Sequence, residues 1–319
     1  MRNIDVKIAR SEAEWRRYRY RNTGVRESLK QFLGASVRSA RKRINCAFRN
    51  MSRATGGIRF KPSYDERREN IVVSLTSTPG RIKGILPTLR SLAAQTKKPD
   101  LIILWLDKGG VYPGRIISRI SETGILIKYR KDLGPNTKYY YAFREYKDDL
   151  VITVDDDIIY HKDMVRELYG TYLKHPGTVV ARRVHKMRFD RNRELLGYKD
   201  WIWEYGDFDR PSHDLFATGT GGVLYPPAVM GLRCWESTDF RKVCPKADDI
   251  WLKFSELKNG IRVCAVKNAG FRKDSVNLRT LNTSLAAGNI GKGRNDTYIR
   301  ACAGYFGMKD DLCERVLGE

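Results

Sequence analysis

The 319-residue chain is predicted to be an α/β protein, a mostly parallel sheet flanked by helices and preceded by a basic helical N-terminal extension. Three observations carry that prediction. Strand-length apolar runs such as Ile71-Val72-Val73-Ser74-Leu75 are continuous rather than alternating, as in strands covered on both faces. Segments with helical spacing separate these runs. Basic residues crowd ahead of the first strand: residues 1–69 hold 19 Lys/Arg against 7 Asp/Glu, in a chain of net charge +23.

In order along the chain, EAEWRRYRYR and ESLKQFLGASVRSARKRINCAFRNM read as helices, the second with Leu29, Phe32, Leu33, Val37, Ile44 and Phe48 recurring between basic residues. We place a boundary at residue 69, with 1–69 as the extension and 70–319 as the main domain, whose halves meet near residue 160. Ile71–Leu75 is the first strand, closed by Thr78-Pro79-Gly80. A helix is expected from Ile82 to Gln95, a second strand over Leu101–Leu106, a short helix over Ile116–Ile120 and a third strand over Ile125–Ile127. Helix Tyr139–Tyr146 then leads to strand Leu150–Val154. His185–Asp214 shows no period and reads as a long surface excursion. Gly219-Thr220-Gly221-Gly222 turns into a short strand, Ala247–Leu257 is a helix, and a final helix lies near Tyr298–Leu317.

The hydrophobic fraction of 41% is ordinary for a soluble protein. No apolar run approaches the roughly 18 residues of a membrane span, and the Arg- and Glu-rich N-terminus lacks the apolar core of a secretory signal. The expectation is a cytoplasmic protein, with the basic segment 1–69 resting on an anionic membrane surface at its inner face. The six cysteines form no CxxC pair and read as reduced and structural. The four histidines lack zinc spacing.

LVITVDDDIIY is the strongest chemical signal. A buried strand ends in Asp155-Asp156-Asp157, and ligands of open α/β sheets bind beyond the carboxyl ends of strands. In an extended chain Asp155 and Asp157 lie roughly 6–7 Å apart on one side. Carboxylate oxygens select a hard cation, Mg²⁺ or Mn²⁺, of the kind that bridges a diphosphate. The alternative is an acidic turn or helix cap. Asp248-Asp249 opens a helix, where acidic residues either cap free amides or perform acid–base work. Lys138, after a Gly-Pro turn, is a candidate cation for a diphosphate. Gly221 and Gly222 would let backbone approach a ligand closely. Trp201, Trp203, Tyr205 and Trp235 are either ring platforms for an acceptor or core.

Taken in order, VSLTSTPGRI, SLAAQTKKPD, LIILWL, DLGPNTK, ITVDDDIIY, TGTGGVLYPP and ADDIWLK resemble the GT-A-fold glycosyltransferases, and more narrowly a bacterial family-2-like group associated with cell-surface polysaccharides. The resemblance covers about residues 70–260 and leaves 1–69 out. It implies a GT-A-type, Rossmann-like sheet and an inverting, metal-dependent hexosyltransferase. Such an enzyme moves sugar from a nucleoside-diphosphate sugar, with a UDP-sugar favoured, to a hydroxyl of a glycan or lipid-linked acceptor. It implies Asp157 and Asp155 at Mn²⁺ or Mg²⁺, and Ser74, Thr76, Arg81, Lys138, Asp155 and Asp156 around the donor. Asp249 takes the place of the base, with Asp248 beside it, and Gly221, Gly222 and Trp251 fall on the acceptor side. The C-terminal histidine that such enzymes add to the metal has no counterpart after His213. Two other classes compete. A nucleotidyltransferase making sugar nucleotides would need a better phosphate loop than TSTPGR. A nucleic-acid-binding protein would explain the charge but not two acidic sites, so nucleic acid is the least favoured partner.

Overall fold

The computed structural model describes residues 3–18, 60, 69–206, 210–231, 233–267, 269, 274–276 and 293–318. The chain divides into two compact units, Met1–Ile58 and Arg59–Glu319. In the first unit, residues 3–18 form helix α1; the second basic helix expected from the sequence lies outside the described residues. The break between units precedes the expected boundary at residue 69. The reason is local: Phe60 is buried and its N–H donates to Thr123 O at 2.6 Å, which ties it to the second unit.

The second unit is built on a sheet of seven strands, β1 (Ile71–Thr76), β2 (Leu101–Asp107), β3 (Leu126–Arg130), β4 (Leu150–Thr153), β6 (Val179–Ala181), β9 (Val223–Tyr225) and β10 (Val263–Ala265), with β5 (Ile158–Ile159), β7 (Val184–Lys186) and β8 (Leu215–Ala217) outside it. Their spatial order is β10-β6-β9-β4-β1-β2-β3. β1 pairs in parallel with β2 and β4, β2 with β3, and β10 with β6, while β9 runs antiparallel between β4 and β6. The chain leaves β1 toward β2 and β3, then returns to β4 on the other side of β1. That reversal is a topological switch point, and the crevice it opens lies at the carboxyl ends of β1 and β4. The mostly parallel, helix-flanked sheet agrees with the GT-A-type architecture expected from the sequence.

The continuous apolar strands are explained by burial on both faces. From β1, Ile71, Val73 and Leu75 enter one core with Leu89 and Leu92 of α2 (Leu86–Ala93), Ile120 of α3 (Gly114–Ser121) and Met164 and Leu168 of α5 (Met164–Tyr172). From the opposite face Ser74 reaches α4 (Thr137–Glu145), where its hydroxyl donates to Lys138 O and accepts from Trp105 Nε1 at 2.8 Å. β3 is the exception, an edge strand with Leu126 and Tyr129 exposed. No helix among the described residues is long and apolar enough to cross a membrane. The five described cysteines are free and buried.

The 185–214 segment is not the surface excursion its lack of period suggested. Two short strands, β7 (Val184–Lys186) and β8 (Leu215–Ala217), pair antiparallel at its ends. Between them Met187, Phe189, Tyr198, Trp201 and Ile202 are buried, and the Tyr198, Trp201 and Phe216 rings pack at centroid distances of 4.9–5.8 Å. This small satellite core follows no single strand or helix period, so periodicity could not reveal it. The expected final helix is two helices, Arg294–Tyr305 and Leu312–Leu317, separated around Gly307 at φ +68°.

Candidate active site

A cavity of about 1000 Å³ opens at the switch point. β1 supplies Thr76 and the turn Ser77-Thr78, with Arg81 beyond it. The turn after β4 supplies Asp155, Asp156 and Asp157, and the start of α4 supplies Lys138. Thr218, Gly219 and Thr220 come from the turn before β9. After the short helices α6 (Arg233–Glu236) and α7 (Phe240–Val243), Asp248, Asp249 and Ile250 open α8 (Asp248–Lys258). The two acidic motifs, nearly a hundred residues apart in the chain, therefore face one space.

The three adjacent aspartates are sorted by their partners. Asp156 turns inward and is 6% exposed; Ser77 Oγ donates to its Oδ2 at 2.6 Å and Arg81 Nη2 lies 2.6 Å from its Oδ1. Burial pushes its carboxyl up to about 6, against the pull of Arg81 and Ser77. Asp155 and Asp157 stay partly open to the cavity, with side chains 29% and 23% exposed. Arg81 Nη2 also lies 2.8 Å from Asp157 Oδ2. Asp157 is raised by burial and by the neighbouring charge of Asp155, with Arg81 acting against both. The strand ends at Thr153 and the chain turns at Asp156-Asp157, so it is the inward pairing of Asp156 with Ser77 and Arg81 that leaves the first and third carboxylates more open to the ligand space.

Lys138 joins the two motifs. Its Nζ is 2.7 Å from Asp155 Oδ1 and 3.1 Å from Asp248 Oδ2. Burial alone would lower its pKa, but Asp155, Asp248 and Asp249 outweigh burial and hold it well above the usual lysine range. The buried Ser74 fixes the main chain of Lys138 through its carbonyl, so Ser74 lies inside the fold and positions a cavity residue from behind.

Asp248 and Asp249 stand at the start of α8, yet the helix has no side-chain cap hydrogen bond. Asp249 instead receives the Gly219 N–H, with both carboxylate oxygens 3.2 Å from the nitrogen. Burial, then the adjacent Asp248, push the Asp249 carboxyl up to about 8, with Lys138 and the Gly219 amide opposing. A methyl at Gly219 would meet Asp249 Oδ1 and Lys138 Nζ at 3.2 Å and Asp155 Oδ1 at 3.6 Å. Gly219 is where both acidic motifs and the lysine converge.

Three residues expected on the acceptor side sit elsewhere. Gly221 faces Arg183, where an added Cβ would meet its Cβ at 2.9 Å and its main-chain N at 3.1 Å. Gly222 adopts φ +84° against Met164. Both glycines serve the turn, and Gly219 and Thr220 line the cavity in their place. Trp251 is fully buried among Phe240, Tyr305 and Phe306 at 5.0–5.9 Å. Trp201 and Trp235 are buried too, and the aromatic rings lining the cavity are Tyr198 and Phe216. Sequence reasoning missed Asp132, Arg183, Glu204 and Asp274, which line the space, as does Asn295, whose pair Asn295-Asp296 resembles a terminal motif of the family-2-like group without a role that the sequence assigns. Asp274 is held by Arg182 Nη1 at 2.8 Å and accepts the His161 N–H at 2.7 Å. Glu204, at φ +52°, meets Arg183 Nε at 3.2 Å.

The cavity is acidic inside a basic chain, with eight carboxylates against four cations on its lining. A diphosphate entering alone would meet net repulsion, so the donor set fits a divalent cation with oxygen ligands. Among the described residues no three His, Cys, Asp or Glu side chains are arranged to hold a metal ion. Asp155 and Asp157 remain the carboxylates suited to one, each now paired to a cation of the chain itself.

Residues 76–226 match the family model described as Glycosyl transferase family 2, a stretch that includes Arg81, Lys138, Asp155–Asp157 and Gly219. No curated protein matches the chain. Among solved structures it is similar to S. aureus TarS 1–349 in complex with UDP, at 16% identity and TM-score 0.43, covering 63% of this chain and 58% of that one. It is similar to the mannosyltransferase PcManGT from Pyrobaculum calidifontis in complex with GDP-Man and Mn²⁺, at 13% identity and TM-score 0.45, covering 81% and 76%. It is also similar to glucosyl-3-phosphoglycerate synthase from Mycobacterium tuberculosis in complex with Mn²⁺, UDP and glucosyl-3-phosphoglycerate, at 13% identity, TM-score 0.43, covering 76% and 82%. The chain spans less than two thirds of the TarS chain it matches.

Proposed function

We propose that the chain, whose residues 76–226 match the model of Glycosyl transferase family 2, is an inverting, metal-dependent glycosyltransferase of the GT-A fold. It moves a sugar from a nucleoside-diphosphate sugar, a UDP-sugar by preference, to a hydroxyl of a glycan or lipid-linked acceptor in cell-surface polysaccharide synthesis. The observation that carries this reading is the shared lysine. Lys138 lies within 3.1 Å of both Asp155 and Asp248, so the two acidic sites are within one substrate's reach of each other.

Asp155 and Asp157 would hold Mn²⁺ or Mg²⁺, which when bound supplies positive charge to the diphosphate. Thr76 and Arg81, at the end of β1, stand on the donor side with the three aspartates. Lys138, kept protonated by its carboxylates, stabilises charge on the departing nucleoside diphosphate. Asp249 takes the proton of the acceptor hydroxyl as that oxygen bonds to the anomeric carbon and the bond to the diphosphate breaks. A carboxyl raised to about 8 is poised for this near neutral pH. Asp248 holds Lys138 and, as a like charge, raises its neighbour.

The basic extension 1–69 is read as contacting an anionic membrane surface, which would place the enzyme in the cytoplasm, peripheral to the membrane. Nucleotide release from a panel of UDP- and GDP-sugars, with and without Mn²⁺, tests the donor reading. Release from at least one UDP-sugar that requires the metal is expected. Equal release without metal across the panel would refute it.

A further inference from the structure

Arg81 is an unusual cation for a donor site, because among the described residues one nitrogen makes its nearest contact to two different carboxylates. Nη2 lies 2.6 Å from Asp156 Oδ1 and 2.8 Å from Asp157 Oδ2, while the buried Nε has no hydrogen-bond partner among the described residues. A guanidinium offers five N–H donors in a planar fork, so this one is under-used. Its two partners also differ. Asp156 is locked by Ser77 and nearly buried, whereas Asp157 opens to the cavity. The contact with Asp156 is an anchor, and the contact with Asp157 is free to be exchanged.

We propose that Arg81 stands in for the divalent ion at Asp157 in the nucleotide-free enzyme and yields that carboxylate only when a diphosphate arrives to take its fork. The inference rests on the reading of Asp157 as a metal-binding carboxylate. A divalent ion arriving alone must break a charge-assisted contact and strip a largely buried guanidinium of one counter-ion. An ion arriving with a nucleoside diphosphate brings phosphate oxygens that the fork binds bidentately. Arg81 thus opposes the ion by itself and favours the ion with nucleotide, a positive coupling between the two ligands. Metal and donor enter as one unit.

The test is Mn²⁺ titration of wild type, Arg81→Gln and Arg81→Lys, read from the electron paramagnetic resonance of the free ion, without nucleotide and with saturating UDP. Wild type should bind Mn²⁺ weakly alone and at least about tenfold more tightly with UDP, the size of one charge-assisted hydrogen bond. Arg81→Gln should bind Mn²⁺ alone about tenfold more tightly than wild type, and UDP should add little. Arg81→Lys keeps the charge without the fork: Mn²⁺ alone stays weak and the gain from UDP shrinks, which keeps the test open if the Gln variant does not fold. Arg81→Gln binding Mn²⁺ alone no better than wild type, or an unchanged gain from UDP in either variant, overturns the proposal. Wild type taking up no Mn²⁺ even with UDP would instead remove the metal reading itself.

Discussion

Replacing Asp249 by Asn should make the protein more stable and leave it inactive, and the size of the stabilisation should depend on pH. In the folded chain burial and Asp248 raise the Asp249 carboxyl from 3.8 to about 8. Unfolded, the same group ionises near 4. Between those values the folded state binds the extra proton, so stability falls as pH rises through the window and levels off above it. The full ionisation penalty has an upper limit of roughly 6 kcal/mol at about 1.4 kcal/mol per pH unit. Asp248 and Lys138 adjust to the lost charge, so about 1–3 kcal/mol is expected in a measured difference. The amide is isosteric, retains an oxygen for the Gly219 N–H, and has no proton to lose. Thermal melts of wild type and Asp249→Asn should be close at pH 4 and separate by roughly 2–10 °C in favour of the variant at pH 8.5. Sugar transfer should drop by about 10²–10⁴-fold. Melting curves that run parallel from pH 4 to 8.5 would show that Asp249 is not held in the environment described, and the argument for a poised base would fail with them.

Gly219→Ala places a methyl 3.2 Å from Asp249 Oδ1 and Lys138 Nζ; kcat/KM should fall about 10–100-fold with little change in melting temperature, since sub-ångström displacement of catalytic groups is costly. Trp251→Ala should cost roughly 3–5 kcal/mol in denaturant unfolding, because the ring is core; a stable variant with a raised acceptor KM would return Trp251 to the acceptor side. Ser74→Ala leaves the Trp105 indole N–H without its acceptor and should destabilise by about 1–3 kcal/mol.

The donor half was readable because its signals are local. β1, β2 and β4 are buried on both faces, and such strands must be apolar throughout, which the sequence displays directly. Asp155–Asp157 are adjacent and end such a strand, so their place at the crevice followed from topology. What they pair with did not, since Arg81 and Lys138 arrive from β1 and α4. The glycine turn shows the limit. Gly219, Gly221 and Gly222 look alike in one dimension, and only crowding by Arg183 and Met164 on one side and by Asp249 on the other separates them. Trp251 sits on a helix buried nearly all round, so no polar face marked which way its ring points. Asp274 reaches the cavity through a buried salt bridge to Arg182, ninety-two residues away, and a lone Asp in a polar stretch carries no sign of that.

The central claim is a division of labour, donor binding at Asp157 and proton removal at Asp249. Calorimetric titration of UDP with Mn²⁺ into wild type, Asp157→Ala and Asp249→Asn, each paired with a turnover assay, measures it directly. Asp249→Asn should bind Mn²⁺–UDP about as wild type does while turnover disappears, and Asp157→Ala should lose both. Turnover near the wild-type rate in Asp249→Asn, or undiminished Mn²⁺-dependent UDP binding in Asp157→Ala, would contradict it.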